Sequence, residues 1–164
     1  ITGRAARGEY RSLRFTLGVP LERNFVDLAS AAPPLDVTAM FWIWQYGYKY
    51  LKLDGTSPAE AGGLNPFFVH LGASECPGDN PEAAPTGNCR SPNQATIELE
   101  EFTPGESTVV VDVGALLATS DLSVNTEGTA PGCMSETNDP ECALLLPRLG
   151  VGSSEEHQAL FAVE

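Results

Sequence analysis

Basic residues are scarce in this chain: 9 Lys and Arg stand against 22 Asp and Glu, for a net charge of −13. Such a surface repels phosphate, which argues against nucleic acid and anionic lipid as partners. Long apolar runs are also missing, and nothing approaches the roughly 18 residues that would read as a membrane span. No secretory leader is visible, and Ile1 stands where an initiator Met would. That fits a processed or trimmed chain whose missing start held an export signal. Histidine is reduced to His70 and His157. There is no G-x-S-x-G, no H-E-x-x-H and no glycine-rich phosphate loop. With so few bases and no paired nucleophile, the chain does not read as an enzyme.

What is present is concentrated. Met40 to Tyr50 holds both tryptophans and three of the four tyrosines. Read with period two, Met40, Trp42, Trp44 and Tyr46 face one way on a strand from Val37 to Gln45. The rise of roughly 3.3 Å per residue then sets the two indoles about 7 Å apart on one face. Such a ladder is either core or an oxidisable surface. Further strands are expected at Leu13 to Val19, Tyr48 to Leu53, Phe67 to Leu71, Thr96 to Phe102, Thr108 to Val113 (a central one) and Gln158 to Val163. Asp54-Gly55 reads as a turn. Leu116-Leu117 and Leu144 to Leu146 read as one-turn helices, the latter limited by Pro147. With 16 Gly and 13 Pro between them, the short strands predict one all-β domain over residues 1–164, an antiparallel β-sandwich.

Cys76 and Cys89 bracket one polar loop, and Cys133 and Cys142 another. Four cysteines permit three connectivities. The local one closes the shortest loops, each worth about 2–3 kcal/mol in the loop-entropy model. Disulfides imply an oxidising compartment. Zinc is the alternative, but the spacings are wider than those of a zinc knuckle.

Metal-binding side chains are few. His70 alternates with Phe68 on its strand, as a structural histidine or a ligand. His157 follows Ser153-Ser154-Glu155-Glu156 in a polar loop. Met134, beside Cys133, offers a thioether suited to copper(I). Carboxylates among turn formers, at Asn24/Asp27, Asp36, Asp79 and Asp139, allow calcium, though more often such residues cap and turn.

Four motifs together resemble the MbnP-like family, also called metallo-mystery-pair four-Cys motif proteins. They are L-R-F-T-L-G-V-P at 13–20, M-F-W-I-W-Q-Y-G-Y-K-Y at 40–50, F-V-H-L-G at 68–72, and P-G-C-M-S with D-P-E-C over 131–142. The resemblance implies an exported, periplasmic or extracellular copper protein. It also implies a partner, a dihaem cytochrome c peroxidase-like enzyme similar to MauG, that oxidises a tryptophan to kynurenine. Carried over, Trp42 or Trp44 is the modified residue and His70 a ligand, with Met134 and His157 as further candidates. Two departures follow. Family members carry Asn-His before the aromatic strand, whereas Asn24 here precedes Phe25. The family's N-terminal strands are expected to be missing too, supplied by a cleaved fragment or a second chain. The competing reading is a non-catalytic extracellular structural or adhesion sandwich without a metal site.

Overall fold

The computed structural model describes residues 6–60, 62–152 and 158–164. Alternation builds its first sheet. In Ser12–Leu17 (β1) Leu13, Phe15 and Leu17 face inward, and in Ala95–Glu100 (β5) Ala95, Ile97 and Leu99 do. The two strands pair antiparallel with Phe15 opposite Ile97. A second sheet runs in the order Phe41–Ile43 (β2), Gly47–Pro58 (β3), Leu64–Gly72 (β4) and Gly132–Cys133 (β7). Its last pair is parallel. Val109–Val111 (β6) and Phe161–Val163 (β8) form a third, antiparallel pair. Together they make the all-β sandwich the alternation predicts.

Among the described residues three short α-helices lie between the strands: Leu21–Asn24 (α1), Val113–Leu117 (α2) and Pro140–Arg148 (α3). Among the described residues no helix is long and apolar enough to cross a membrane. Helix α3 opens with an Asp139 cap and Pro140, a residue suited to the first turn. Pro147 falls so near its end that the helix passes through it.

One face of the β3–β4 hairpin is the core. Phe67, Val69 and Leu71 pack on Leu116 of α2, Leu145 and Leu149 of α3, and Leu160. Both disulfides are the local ones, Cys76–Cys89 and Cys133–Cys142. The second ties β7 to α3, and the first is covered by Phe25 and Tyr46.

The one-turn helix expected at Leu144 to Leu146 is instead nine residues long and is not limited by Pro147, and three further expectations fail. The aromatic strand is only three residues long, because Thr38–Met40 is a 3-10 turn and residues 44–46 turn back before β3. Asp54-Gly55 does not turn; β3 continues through it, Asp54 opposite Phe68 and Gly55 opposite Phe67. The apolar alternation of Leu51 and Leu53 against β4 outweighs a local turn preference. Finally, the β-branched run at 108–113 is not central: β6 pairs with β8 alone.

Candidate functional site

The hairpin face opposite the core carries polar chemistry. Period two puts Lys52 and Asp54 of β3 on that face, and the register sets Lys52 opposite His70 and Asp54 opposite Phe68. His70 is buried at 7% exposure. Its Nε2 lies 2.6 Å from Asp54 Oδ1. The other carboxylate oxygen of Asp54 accepts from the Lys52 ammonium. Lys52 first, then His70, hydrogen-bond the Asp54 carboxyl and hold it below its usual range. Phe68 stacks on the imidazole at 5.7 Å, its plane tilted by 17°. The remaining nitrogen, Nδ1, is buried with no hydrogen-bond partner among the described residues. A buried polar atom left without a partner costs about 1–3 kcal/mol.

Trp42 closes the other side. Its ring meets His70 edge-on, centroids 6.1 Å apart, and meets Tyr46 in the same manner at 6.1 Å. Lys49 Nζ stands 5.9 Å from the indole centroid, a cation–π distance. Burial, then repulsion from Lys52, lowers the Lys49 pKa, against the pull of Asp54. Gly72 makes the approach possible. A Cβ there would sit 3.1 Å from Trp42 Cζ3 and 2.9 Å from the Tyr48 carbonyl. The glycine of H-L-G therefore leaves room for the indole beside the histidine.

Trp44 goes elsewhere. It packs edge-on against Phe41 at 5.4 Å, and Phe41 against Tyr48 at 5.2 Å. The expected ladder of both indoles on one face is thus overturned by the turn at 44–46. Asn24 holds that turn. Its side chain, wholly buried, donates to the Tyr46 carbonyl at 3.0 Å and accepts from Tyr48 N–H at 3.1 Å. Gly47, at φ +75°, gives the backbone room, for a Cβ would come within 2.1 Å of the Asn24 carbonyl.

Of the other candidates, Met134 follows Cys133, which pairs with Val69, so its backbone runs beside His70. Ser135 fastens that segment, donating from Oγ to the His70 carbonyl and accepting from Gly72 N–H, each at 2.9 Å. His157 lies outside the described residues. The carboxylates considered for calcium do not converge. Asn24 spends its amide on the turn, Asp27 caps a 3-10 turn through Ala29 N–H, and Asp139 caps α3. No group of three or more His, Cys, Asp or Glu that could hold a metal exists among the described residues. Asp54, Lys49 and Gly72 escaped the sequence reading. Only Gly72 left a signal there, since glycine inside a strand marks close approach.

The family model of MbnP matches residues 1–135. Among solved structures, MbnP from Methylosinus trichosporium is similar with a TM-score of 0.76 and 26% identity over 96% of this chain. The chain spans 63% of the length of that protein. No curated protein sequence matches.

Proposed function

Because the chain belongs to the MbnP family, we propose that it is an exported copper-associated protein whose Trp42 is oxidised to kynurenine by a dihaem peroxidase-like partner. It is the substrate of that enzyme rather than a catalyst. The observation that carries the reading is the contact of Trp42 with His70, whose Nδ1 is buried with no partner among the described residues. Among the described residues Trp44 pairs with Phe41 instead.

The chemistry balances with peroxide as oxidant. Two peroxide molecules take four electrons from the indole at the partner's haem and leave as four waters, while two waters add their oxygens across the indole C2–C3 bond and release the four protons, which gives N-formylkynurenine. Water then releases formate and leaves an aryl amine. The electrons pass from the indole to the partner's haem, so indole and haem need not touch.

The donor set suits copper only after that step. Unmodified, the pocket offers one unpartnered imidazole nitrogen among the described residues. Oxidation adds an amine nitrogen next to it, and copper accepts nitrogen donors of this kind. Bound copper would bring redox chemistry to the pocket. Phe25 supplies no second imidazole, for it packs on the Cys76–Cys89 bridge with Tyr46. Both disulfides suit the oxidising compartment of an exported protein.

Co-expression with the dihaem partner and peptide mass analysis tests the reading. The Trp42 peptide should gain two oxygen atoms and lose one carbonyl unit. Trp42→Phe should abolish the change and Trp44→Phe should leave it. An unmodified Trp42 alongside an oxidised Trp44 would sink it. Phe25 favours one competing reading, an exported structural or adhesion sandwich. Copper bound neither before nor after modification, with the fold intact, would support that alternative.

A further inference from the structure

We infer that closure of the Cys76–Cys89 bridge must come before oxidation of Trp42: a thiol–disulfide exchange supplies the substrate, because the bridged loop holds one wall of the indole pocket. This rests on the reading that Trp42 is the oxidised residue. The two bridges occupy different places. Cys133 and Cys142, each 1% exposed, belong to the main core with Leu145 and Leu149. Cys76 and Cys89, at 7% and 8%, form a separate small cluster with Ala73, covered by Phe25 and Tyr46. Tyr46 is the ring that meets Trp42 edge-on at 6.1 Å. One aromatic ring therefore stands between this bridge and the indole.

The loop grips the aromatic turn beside Tyr46. Gln45 Nε2 donates to the Cys76 carbonyl at 3.1 Å and to the Gly78 carbonyl at 2.6 Å. The Gln45 backbone N–H donates to the Pro81 carbonyl at 3.4 Å. At its root the same loop reaches Gly72, which leaves room for the indole. Asn93 Nδ2 donates to the Gly72 carbonyl at 2.9 Å and to Ser74 Oγ at 3.2 Å. Residues 77–88, all described, form no helix or strand and are almost all exposed. Such a stretch has little packing of its own, so covalent closure keeps its carbonyls in place for Gln45. In the dithiol chain the loop regains its freedom, and Gln45 and Tyr46 lose their fixed neighbours. Closure balances as an exchange. One cysteine thiolate attacks a disulfide oxidant, the other displaces the mixed disulfide, and the oxidant leaves as a dithiol with two electrons and two protons.

The full-length chain carrying Cys76→Ala and Cys89→Ala, given the dihaem partner and peroxide, tests the order. Its main core and the Cys133–Cys142 bridge should stay intact, while nuclear Overhauser contacts between the Trp42 and Tyr46 rings are lost. Oxidation of Trp42 should slow by about tenfold or more, since a misplacement of about 1 Å can cost about a hundredfold. Gln45→Leu, which keeps the bridge, should weaken the same ring contacts and guards against a double variant that fails to fold. In a time course of the unaltered chain with thiol alkylation, every chain bearing kynurenine should already have Cys76 and Cys89 bridged. Kynurenine in chains alkylated at Cys76 or Cys89 would overturn the order. Native ring contacts in the folded double variant or in Gln45→Leu would overturn the role of the loop as a wall. Failure of the oxidation reading appears separately, as an unmodified Trp42 in the bridged chain, where the ring contacts still decide whether the bridge builds the pocket.

Discussion

Trp42 and Trp44 stand two residues apart and meet different worlds. Trp42 lies over Gly72, beside a buried histidine with one nitrogen unpartnered among the described residues, and below the Lys49 cation. Trp44 lies against Phe41, whose other neighbour is Tyr48. In a continued strand they would share a face. The turn at 44–46 separates them, so the element that gives the two indoles different surroundings is the turn and its Asn24 clamp, not the strand. The largest effect should therefore come from the clamp. Asn24→Ala leaves the Tyr48 N–H and the Tyr46 carbonyl without their partner. We expect a loss of about 3 kcal/mol in denaturant unfolding, from two orphaned backbone groups. The emission of the two indoles should become alike.

The contrast also marks what the sequence could show. The motif order, the two short cysteine pairings and the inward alternation of Leu13, Phe15 and Leu17 are local properties, and each is present in the fold. His70 and Trp42 were both visible as candidates. Their contact was not, because it needs the β3–β4 register and the β2 reversal, which are tertiary outcomes. Asp54 was misplaced for the same reason: Asp-Gly favours a turn locally, yet pairing with Phe68 and Phe67 holds the strand straight. Phe25 was legible only as a missing histidine. Its packing on a disulfide shows that the position serves the core.

The second prediction disturbs Trp42 alone. Gly72→Ala adds a Cβ at 3.1 Å from the indole and 2.9 Å from the Tyr48 carbonyl. Overpacking of this kind costs about 1–3 kcal/mol. Thermal unfolding should record it, and oxidation of Trp42 should fall while Trp44 keeps its environment. Normal modification in Gly72→Ala would show that the indole does not depend on that approach.

Support beneath the two indoles differs as well. The segment with Ser135 braces Gly72, and α3 anchors that segment through Cys133–Cys142. Asp139 caps the helix while almost wholly buried, and burial first, then the neighbouring Glu141 carboxyl, pushes its pKa up to about 6. Burial acts on Glu141 in the same sense, but hydrogen bonds from Asp139 and Thr126 outweigh it and bring that carboxyl below its usual range. For Asp139 the native state binds its proton more tightly than the unfolded chain. Its contribution to stability therefore falls as pH rises between roughly 4 and 6 and stays low above that window. Asp139→Asn keeps an oxygen for the Glu141 N–H cap bond and removes the charge. It should stabilise the protein by about 1 kcal/mol at neutral pH. The gain should vanish below about pH 4, where the aspartate is protonated in the native and the unfolded chain alike. A gain that persists in acid would assign the effect to something other than that charge.

The smallest expected effect sharpens the comparison most. Lys49 Nζ is 5.9 Å from the Trp42 centroid and also donates to the Ala39 carbonyl at 3.3 Å. The contact stabilises the neutral indole by about 0.5–1 kcal/mol. It opposes an indole cation radical by a similar amount, about 1 kcal/mol at an effective dielectric between that of a protein surface and that of water. Lys49→Met keeps the aliphatic cover and deletes the charge. Stability should change by a few tenths of a kcal/mol, within the range of surface substitutions. Oxidation of Trp42 should be roughly tenfold faster or more, since the two effects together come to about 1.5–2 kcal/mol and about 1.4 kcal/mol is a factor of ten. The rate at Trp44 should not move. Equal acceleration at both indoles would mean that the cation acts on docking of the acidic chain to its partner, through the overall field. Acceleration confined to Trp42 would mean that it acts on the ring beneath it.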